Sequence, residues 1–415
     1  MSDAPRVATG ALGGVRVIEL VDEPVDYWGR LLAGLGADVI VVEPAAGGFR
    51  RHQGPYVEGR DGDPEASLAQ WHFDVGKRSM VVDDDAELRR LIASADVVVH
   101  TLGAAAASER GLDHDHLAVD HPGLISCAIT AFGLTGPWAD YVADDLVLMA
   151  LGGSMATCGY GLADPPLACW GDQAWLTAAT YGAIAVLAAL DHRTRTGQGQ
   201  LIDVSAHQAS ASMTEWHVMT YLCSGSPMAR FRHPTVTAAD GKQVAALVPD
   251  FLGPHVFEHF RSMLVADGVA GPLADPEFED PRHRARNYGE MMAATTRLAE
   301  RHDGEELFRL GQQAGLPWGV IRSPDEALDD RHLRARGHWV EIDGVTHAGA
   351  PFVAGASPFR FERPPPGLGQ HTAEIRRQLD TTDTTDTTDR TGTVGTDAAG
   401  SPGGASGSSD GEAAT

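Results

Sequence analysis

The chain has 415 residues, of which 43% are hydrophobic and 21% are charged, and its formal net charge at pH 7 is −25. This composition is typical of a globular protein long enough for two domains. The acidic balance argues against nucleic acid or an anionic membrane as a partner, because either would need an extended basic surface. The start of the chain lacks the apolar core of a signal peptide. The four cysteines show no C-x-x-C spacing, so we expect free thiols in a cytoplasmic protein.

The first half of the chain alternates strand and helix patterns. The pattern predicts helices over 27–35 and 86–95 and strands over 15–20, 38–43, 96–100 and 123–130. Short, apolar, β-branched strands of this kind are typical of a parallel sheet covered on both faces. Glu43 ends the second strand, where dinucleotide-binding folds place a ribose-binding acid. The first strand is followed by VDEPVDYWG and not by G-x-G-x-x-G, so the pattern predicts a Rossmann-like α/β fold without NAD(P).

An uncharged segment follows Asp172. Residues 175–190 are rich in Ala and Leu, which predicts a buried helix that is too short to span a bilayer and ends at Asp191. Asp172 falls in or just before its first turn, where a carboxylate accepts backbone N–H groups and meets the positive end of the helix dipole. Taken locally, the pattern favours a capping role for Asp172.

The segment HVFEH, residues 255–259, matches the H-x-x-E-H spacing of certain zinc peptidases. Five residues are a weak match in a chain with 18 His. The surrounding sequence predicts an amphipathic helix equally well, with an apolar face formed by Val256, Phe257, Phe260 and Leu264. We expect that helix and no metal site. At the other end of the sequence, the acidic Thr/Gly/Ser-rich tail from 380 to 415 has little to bury and is expected to be disordered.

Several segments together resemble the family III CoA-transferases. They include GVRVIEL and RLLAGLGADVIVVEP near the start, GKRSMVVD from residue 76, GLISCAITAFGLTGPWADY from residue 123 and HRTRTGQGQLIDVSAHQA from residue 192, with further segments as far as LGQHTAEI. The resemblance covers residues 12–379 in order. The family includes formyl-CoA and carnitine CoA-transferases and the related 2-methylacyl-CoA racemases.

The resemblance implies a large Rossmann-like domain built from both chain ends, a smaller central domain, and two subunits interlocked as a homodimer. Applied to this sequence, it assigns 12–215 and 331–379 to the large domain, 216–330 to the small domain and its linkers, and 380–415 to the tail.

The resemblance also gives Asp172 a chemical role, because Asp172 stands where the family has its catalytic Asp, before an Ala-rich helix that leads into TGQGQ. Its carboxylate would attack an acyl-CoA thioester and form an anhydride and then an enzyme-bound CoA thioester, before a carboxylic acid takes the CoA. Helix-terminal N–H groups near Asp172 are expected to stabilise an oxyanion. No metal and no permanently bound cofactor are implied, since the CoA thioester is a substrate. The candidate CoA-binding cations are Lys77, Arg78 and Arg110, with Arg50 and Arg51 as neighbours.

Two alternatives stay open. A 2-methylacyl-CoA racemase needs two acid/base groups on opposite faces of the α-carbon, a His and an Asp in that branch of the family. Asp144, in ADDLVLMALGG, stands where that His would be and is a candidate second acid/base. A non-catalytic CoA-binding subunit is disfavoured by the presence of Asp172. The sequence does not identify the donor or acceptor acids.

Overall fold

The computed structural model of the chain describes residues 10–161, 163–227, 230, 234–248 and 253–390. The strands are β1 Arg16–Leu20, β2 Asp38–Glu43, β3 Arg78–Val81, β4 Val97–His100, β5 Ile125–Thr130, β6 Gln200–Ser205, β7 Thr235–Thr237, β8 Gln243–Ala245, β9 Gly319–Val320, β10 Trp339–Ile342 and β11 Val345–Ala348. The helices of the first half are α1 Tyr27–Gly34, α2 Leu68–Asp74, α3 Asp85–Ala93, α4 Ala104–Glu109, α5 His114–Asp120, α6 Asp145–Leu151, α7 Ser154–Thr157 and α8 Gln173–Thr196. The later helices are α9 Ala206–Ser212, α10 Glu215–Ser224, α11 Pro254–Ala266, α12 Pro281–Arg286, α13 Tyr288–Ala299, α14 Gly304–Gln313, α15 Pro324–Leu328, α16 Arg331–Ala335 and α17 Thr372–Arg390.

A six-stranded parallel sheet organises the larger part of the molecule. Its strand order is β3-β2-β1-β4-β5-β6, and Ile18 of β1 lies opposite Ile40 of β2 and Val98 of β4. The chain thus extends the sheet outward from β1 in both directions, as in doubly wound folds. The predicted α/β class with a parallel sheet is confirmed. The two edge strands β3 and β6 were not predicted as strands, because they carry polar residues such as Arg78 and Gln200.

Both faces of the sheet are covered. On one face, β1, β4 and β5 pack with α1 and α8 around the buried Trp28 and Trp175. On the other face, Ile375 and Leu379 of α17 join the core that includes Ile18, together with α3. The end of the described chain therefore returns to the sheet. Helix α17 runs to Arg390, and Asp380 accepts a hydrogen bond from Arg90 at 2.8 Å, so the helix extends into the segment from 380 that was predicted to be disordered. The rest of the predicted tail lies outside the described residues.

The long helix α8 continues past its predicted end at Asp191 and stops at Gly197, which has a φ of 75°. Of the described helices, α8 alone is long and apolar enough to cross a membrane, so the expectation that it is too short is wrong. One such helix is weak evidence for a membrane span, because the buried core helix of a soluble protein can be equally long and apolar. The buried residues of α8, from Ala174 to Ala189, belong to the core against the sheet.

A second hydrophobic core is built from residues between 236 and 320 and joins α11, α13 and α14 to the small sheet β7-β8-β9. The H-x-x-E-H match lies on α11, whose Phe257, Phe260 and Leu264 are buried in this core as an amphipathic helix requires, while Val256 is partly buried. Within the described ranges, no group of three or more His, Cys, Asp or Glu side chains is arranged to hold a metal ion. The four cysteines are free thiols, as expected.

Candidate functional site

Asp172 has an unusual backbone conformation at the start of α8. Its φ and ψ are 27° and 37°, and the preceding Gly171 has a φ of 80°. A non-glycine residue in the left-handed region costs about 1 kcal/mol or more, and the surrounding structure must enforce it. The carbonyl oxygen of Asp172 accepts the N–H of Leu176 at 2.8 Å, so the backbone opens the helix. Strained residues of this kind are concentrated at functional sites.

The side chain of Asp172 does not cap α8. The capping carboxylate is Asp145, the first residue of α6, whose Oδ1 accepts the N–H of Ala174 at 2.7 Å and the N–H of Trp175 at 3.4 Å. These are the amides that an N-cap side chain ordinarily receives. The capping role favoured for Asp172 is therefore wrong for its side chain. Helix-terminal N–H groups near Asp172 were expected to stabilise an oxyanion, and two of them are occupied by Asp145.

The carboxylate of Asp172 is instead held by Arg50. Arg50 Nη1 donates to Asp172 Oδ2 at 3.1 Å. The same Nη1 also donates to Gln53 Oε1 at 2.7 Å. Asp26 fixes the other two nitrogens of the guanidinium, with Nε to Oδ2 at 2.7 Å and Nη2 to Oδ1 at 2.9 Å. The guanidinium carbon of Arg50, Cζ, lies 4.8 Å from the ring centroid of Phe49 and 4.2 Å from that of Phe73. Arg50 is thus a rigid, buried cation with one arm on Asp172.

Behind Arg50 lies a buried cluster of charged groups centred on Lys77. Its Nζ donates to Glu19 Oε1 at 2.8 Å and to the carbonyl oxygen of Asp26 at 2.9 Å, and it lies 3.1 Å from Asp74 Oδ1. Burial raises the pKa of Glu19 to about 8, although the charge of Lys77 opposes the shift. Burial also raises the pKa of Asp74. We therefore predict that the cluster retains a proton on Glu19 at neutral pH.

This proton predicts a specific pH dependence of stability. The pKa of Glu19 in the folded chain lies above its ordinary 4.5, so the folded state binds more protons than the unfolded state. The free energy of unfolding should therefore fall as the pH rises from about 4.5 to about 8. Glu19→Gln cannot ionise, keeps an acceptor for Lys77, and should lose less stability over that window. Denaturant unfolding of both proteins across this pH range measures the difference; parallel curves would mean that Glu19 is already ionised in the folded protein.

Three of the other predicted CoA-binding cations are buried and engaged inside the protein. Lys77 belongs to the cluster described above. Arg51 forms two hydrogen bonds with Glu43, at 2.6 and 3.0 Å, and Arg78 pairs with Asp38. This arrangement does not support contacts between these side chains and CoA, and Arg50 likewise faces Asp172 and Asp26. The carboxylates that pair with these four cations are distant from them in sequence or belong to no motif. The pairing could therefore not be predicted from the sequence.

Arg110 is placed differently. Its side chain is exposed and pairs with Asp85 at 2.6 Å. It lines a crevice of about 350 Å³ at the ends of β1 and β2. The other charged residues that line this crevice are all acidic: Asp22, Glu43, Asp83, Asp84 and Asp85. Ligands of doubly wound folds bind outside the carboxyl ends of the strands, beside the point where the strand order reverses. Arg110 is therefore an exposed member of the predicted CoA-binding cations that lines a crevice at this edge of the sheet.

Asp144, the candidate second acid/base, is exposed and caps α6, with Oδ1 accepting the N–H of Val147 at 2.9 Å. The next residue, Asp145, is the one whose side chain reaches the start of α8. The predicted site did not include Asp145, Asp26 or Glu19. The only local signal for Asp145 was a second Asp before an apolar helix, and the contact across 29 residues to Ala174 is not visible in any local pattern.

Residues 12–372 match the sequence profile of CoA-transferase family III. The chain belongs to this family. This family III CoA-transferase is 32% identical over 406 residues to succinate–glutarate CoA-transferase of Agrobacterium fabrum, and the alignment covers 92% of the chain and 98% of the relative. It is 29% identical over 381 residues to the succinyl-CoA:(R)-benzylsuccinate CoA-transferase subunit BbsE of Thauera aromatica, with 87% of the chain and 92% of the relative covered.

The crystal structure of a CaiB/BaiF family protein from Brucella suis resembles this family III CoA-transferase with a TM-score of 0.80 and 28% identity, covering 90% of this chain and 100% of that one. The family membership that the sequence motifs indicated is confirmed, and the chain is a transferase that acts on CoA thioesters.

Proposed function

We propose that this family III CoA-transferase moves CoA from an acyl-CoA donor to a carboxylic acid through covalent intermediates on Asp172. The observation that carries the proposal is the state of the Asp172 carboxylate. Its Oδ2 accepts a hydrogen bond from the buried Arg50, it takes no part in capping α8, and 35% of its side chain is exposed. A carboxylate that is fixed through one oxygen and exposed is suited to attack with the other.

The proposed reaction has four balanced steps. An oxygen of Asp172 attacks the thioester carbon of the donor, the C–S bond breaks, and CoA leaves as a thiolate. The thiolate then attacks the aspartyl carbon of the anhydride, which releases the donor acid and leaves an aspartyl-CoA thioester. The acceptor carboxylate attacks this thioester and regenerates CoA thiolate and a second anhydride. Attack of the thiolate on the acceptor's carbonyl carbon gives the new acyl-CoA and frees Asp172.

Arg50 has a defined part in this sequence. Because Asp26 and the rings of Phe49 and Phe73 fix the guanidinium, the Asp172 carboxylate returns to one orientation after each turnover. An oriented nucleophile lowers the entropic cost of reaching the attacking geometry. The charge of Arg50 also offsets negative charge that develops beside Asp172 during attack.

For the substrates, we propose succinyl-CoA as donor and a dicarboxylic acid as acceptor. The relatives named above transfer CoA among succinate, glutarate and benzylsuccinate by their names, and no cofactor is consumed because one thioester replaces another. For the nucleotide of CoA, the proposed phosphate ligand is Arg110, which is the exposed cation of the predicted set.

The experiment is incubation of the purified chain with succinyl-CoA and a panel of acids, with CoA products identified by mass spectrometry. Formation of glutaryl-CoA or another dicarboxyl-CoA, dependent on the added acid, supports the proposal. Failure to form any new CoA ester contradicts it. Deuterium uptake from solvent at the α-carbon of a 2-methylacyl-CoA, without CoA transfer, would favour the racemase instead.

We also propose that the enzyme is a homodimer whose second copy covers α10 and the neighbouring loops. Helix α10 has no buried residue, yet Trp216, Met219 and Leu222 are 70%, 58% and 74% exposed. A helix with so much apolar surface requires a partner. Trp170, two residues before Asp172, is also 94% exposed. A second copy over this region would exclude water from the anhydride.

Sedimentation velocity tests the dimer. The wild-type chain should sediment as a dimer at micromolar concentration. Leu222→Glu should shift the population towards monomer or aggregate because it places a charge in the proposed interface. Val119→Glu, at an equally exposed apolar residue of α5, is the matched control and should leave the dimer intact. A stable, folded wild-type monomer would contradict the proposal.

A further inference from the structure

We propose that Asp145 is a positioning residue for the nucleophile: by capping α8 from a neighbouring helix, it leaves the carboxylate of Asp172 free to face Arg50. The inference rests on the proposed function of Asp172 and goes beyond it, because it assigns a role to a residue that does not touch the reacting atoms.

The first support is the geometry of the cap. Ala174 and Trp175 occupy the second and third positions of α8, and their N–H groups would otherwise lack an intrahelical acceptor. Asp145 Oδ1 receives both, at 2.7 and 3.4 Å. In an ordinary helix this oxygen comes from the N-cap residue itself, which here is Asp172. Two carboxylates, those of Asp172 and Asp145, could thus cap the helix, and in the structure Asp145 accepts the two amides.

The second support is the way in which α6 and α8 are fixed together. Leu148 and Met149 of α6 are buried in the same core as Ala174 and Trp175 of α8. Asp145 begins α6, so its carboxylate is carried on an element that is packed against the helix that it caps. The contact is therefore part of a rigid scaffold, and it holds the start of α8 in place relative to Arg50.

The third support is what would happen without Asp145. Two uncapped amides and the positive end of the helix dipole would attract the nearest carboxylate, and that carboxylate is Asp172. Asp172 would leave its left-handed backbone conformation for the extended one typical of N-cap residues and would rotate away from Arg50. Loss of Asp145 would thereby convert the nucleophile into a cap.

The test compares Asp145→Ala, Asp145→Asn and the wild type in the full-length chain. Each protein is mixed with succinyl-CoA without acceptor and quenched with hydroxylamine, and the rate of adduct formation on the peptide that contains Asp172 is measured. Asp145→Ala should slow adduct formation by about 10²-fold, the scale expected from a misplaced reacting group, while the KM for succinyl-CoA stays close to that of the wild type. Asp145→Asn keeps a carbonyl oxygen to accept the amides and should recover most of the rate.

The matched control is Asp303→Ala. Asp303 is the N-cap residue of α14, accepts the N–H of Glu306 at 2.8 Å, and lies far along the chain from the site. Its replacement should lower the melting temperature through loss of a helix cap but leave the adduct rate unchanged.

Amide hydrogen exchange at 174 and 175 supplies a readout that does not depend on activity, and Asp145→Ala should accelerate it. An Asp145→Ala protein with fast exchange at these amides and a wild-type adduct rate would overturn the role of Asp145 and leave the proposed function intact. A wild-type chain that forms no adduct would overturn the proposed function and this inference with it.

Discussion

Replacement of Asp172 by Asn is expected to lower CoA-transferase turnover by about 10⁴-fold, the scale seen when a carboxylate of a catalytic unit is lost. An amide cannot form the anhydride, so the first covalent step has no nucleophile. The fold should tolerate the change. Asn accepts the left-handed region more readily than most residues, it retains an oxygen for Arg50, and the cap of α8 resides on Asp145. The stability change should stay within about 1 kcal/mol.

Steady-state turnover with succinyl-CoA and glutarate, together with thermal unfolding and CoA binding by calorimetry, checks this expectation. If Asp172 had only a structural role, its replacement would reduce stability and leave activity intact. Because Asp145 caps α8, a loss of activity in Asp172→Asn cannot be attributed to the loss of a helix cap. An Asp172→Asn protein that transfers CoA at near the wild-type rate would contradict the proposed mechanism.

Replacement of Arg50 by Lys is expected to reduce turnover by about 10²- to 10³-fold, comparable with the loss of one preorganised donor at a site where charge develops. Lys has a single ammonium group and cannot reach Asp26 and Asp172 together with fixed geometry. It also leaves the nearly inaccessible Asp26 with a poorer partner, so stability should fall as well, and the stability loss must be separated from the catalytic one.

Arg51→Lys provides that separation. Arg51 is the adjacent residue, equally buried, and forms the same two-armed pair with a buried carboxylate, Glu43. It has no contact with Asp172 in the described part of the chain. Both variants should show lower melting temperatures, and only Arg50→Lys should lose turnover. Equal losses of activity would show that Arg50 acts through stability alone, and a raised KM for the acyl-CoA in Arg51→Lys would restore the prediction that Arg51 binds CoA.

The sequence predicted the strands of the sheet correctly where they are buried on both faces. Strand β2 has the predicted bounds of 38–43, because a run of β-branched residues covered on both faces leaves a clear apolar pattern. The edge strands β3 and β6 were missed. In β6, half-buried and exposed residues alternate, and in β3 the Arg78 side chain is buried by pairing with Asp38, which lies on another strand. Burial achieved through pairing over long sequence distances has no local signature.

The same limit explains the site. Asp172 was found through the motif around it, yet its local pattern predicted a cap, since nothing in the sequence shows that Asp145 occupies the amides of Ala174 and Trp175. Lys77 was predicted to bind CoA because its segment, GKRS, matches the family near the nucleotide. Its actual partners, Glu19 and Asp74, lie in different elements, and burial raises the pKa of both carboxyls. Charge balance within a folded core depends on tertiary contacts that composition does not reveal.

The most direct test of the central claim is to trap the intermediate on wild-type protein. The chain is incubated with succinyl-CoA in the absence of any acceptor acid, treated with hydroxylamine and digested, and its peptides are mapped by tandem mass spectrometry. An anhydride or CoA thioester on Asp172 should yield a hydroxamate at that residue and at no other Asp or Glu. Acid-dependent transfer of CoA with no hydroxamate on Asp172, or with the modification on another carboxylate, would contradict the account.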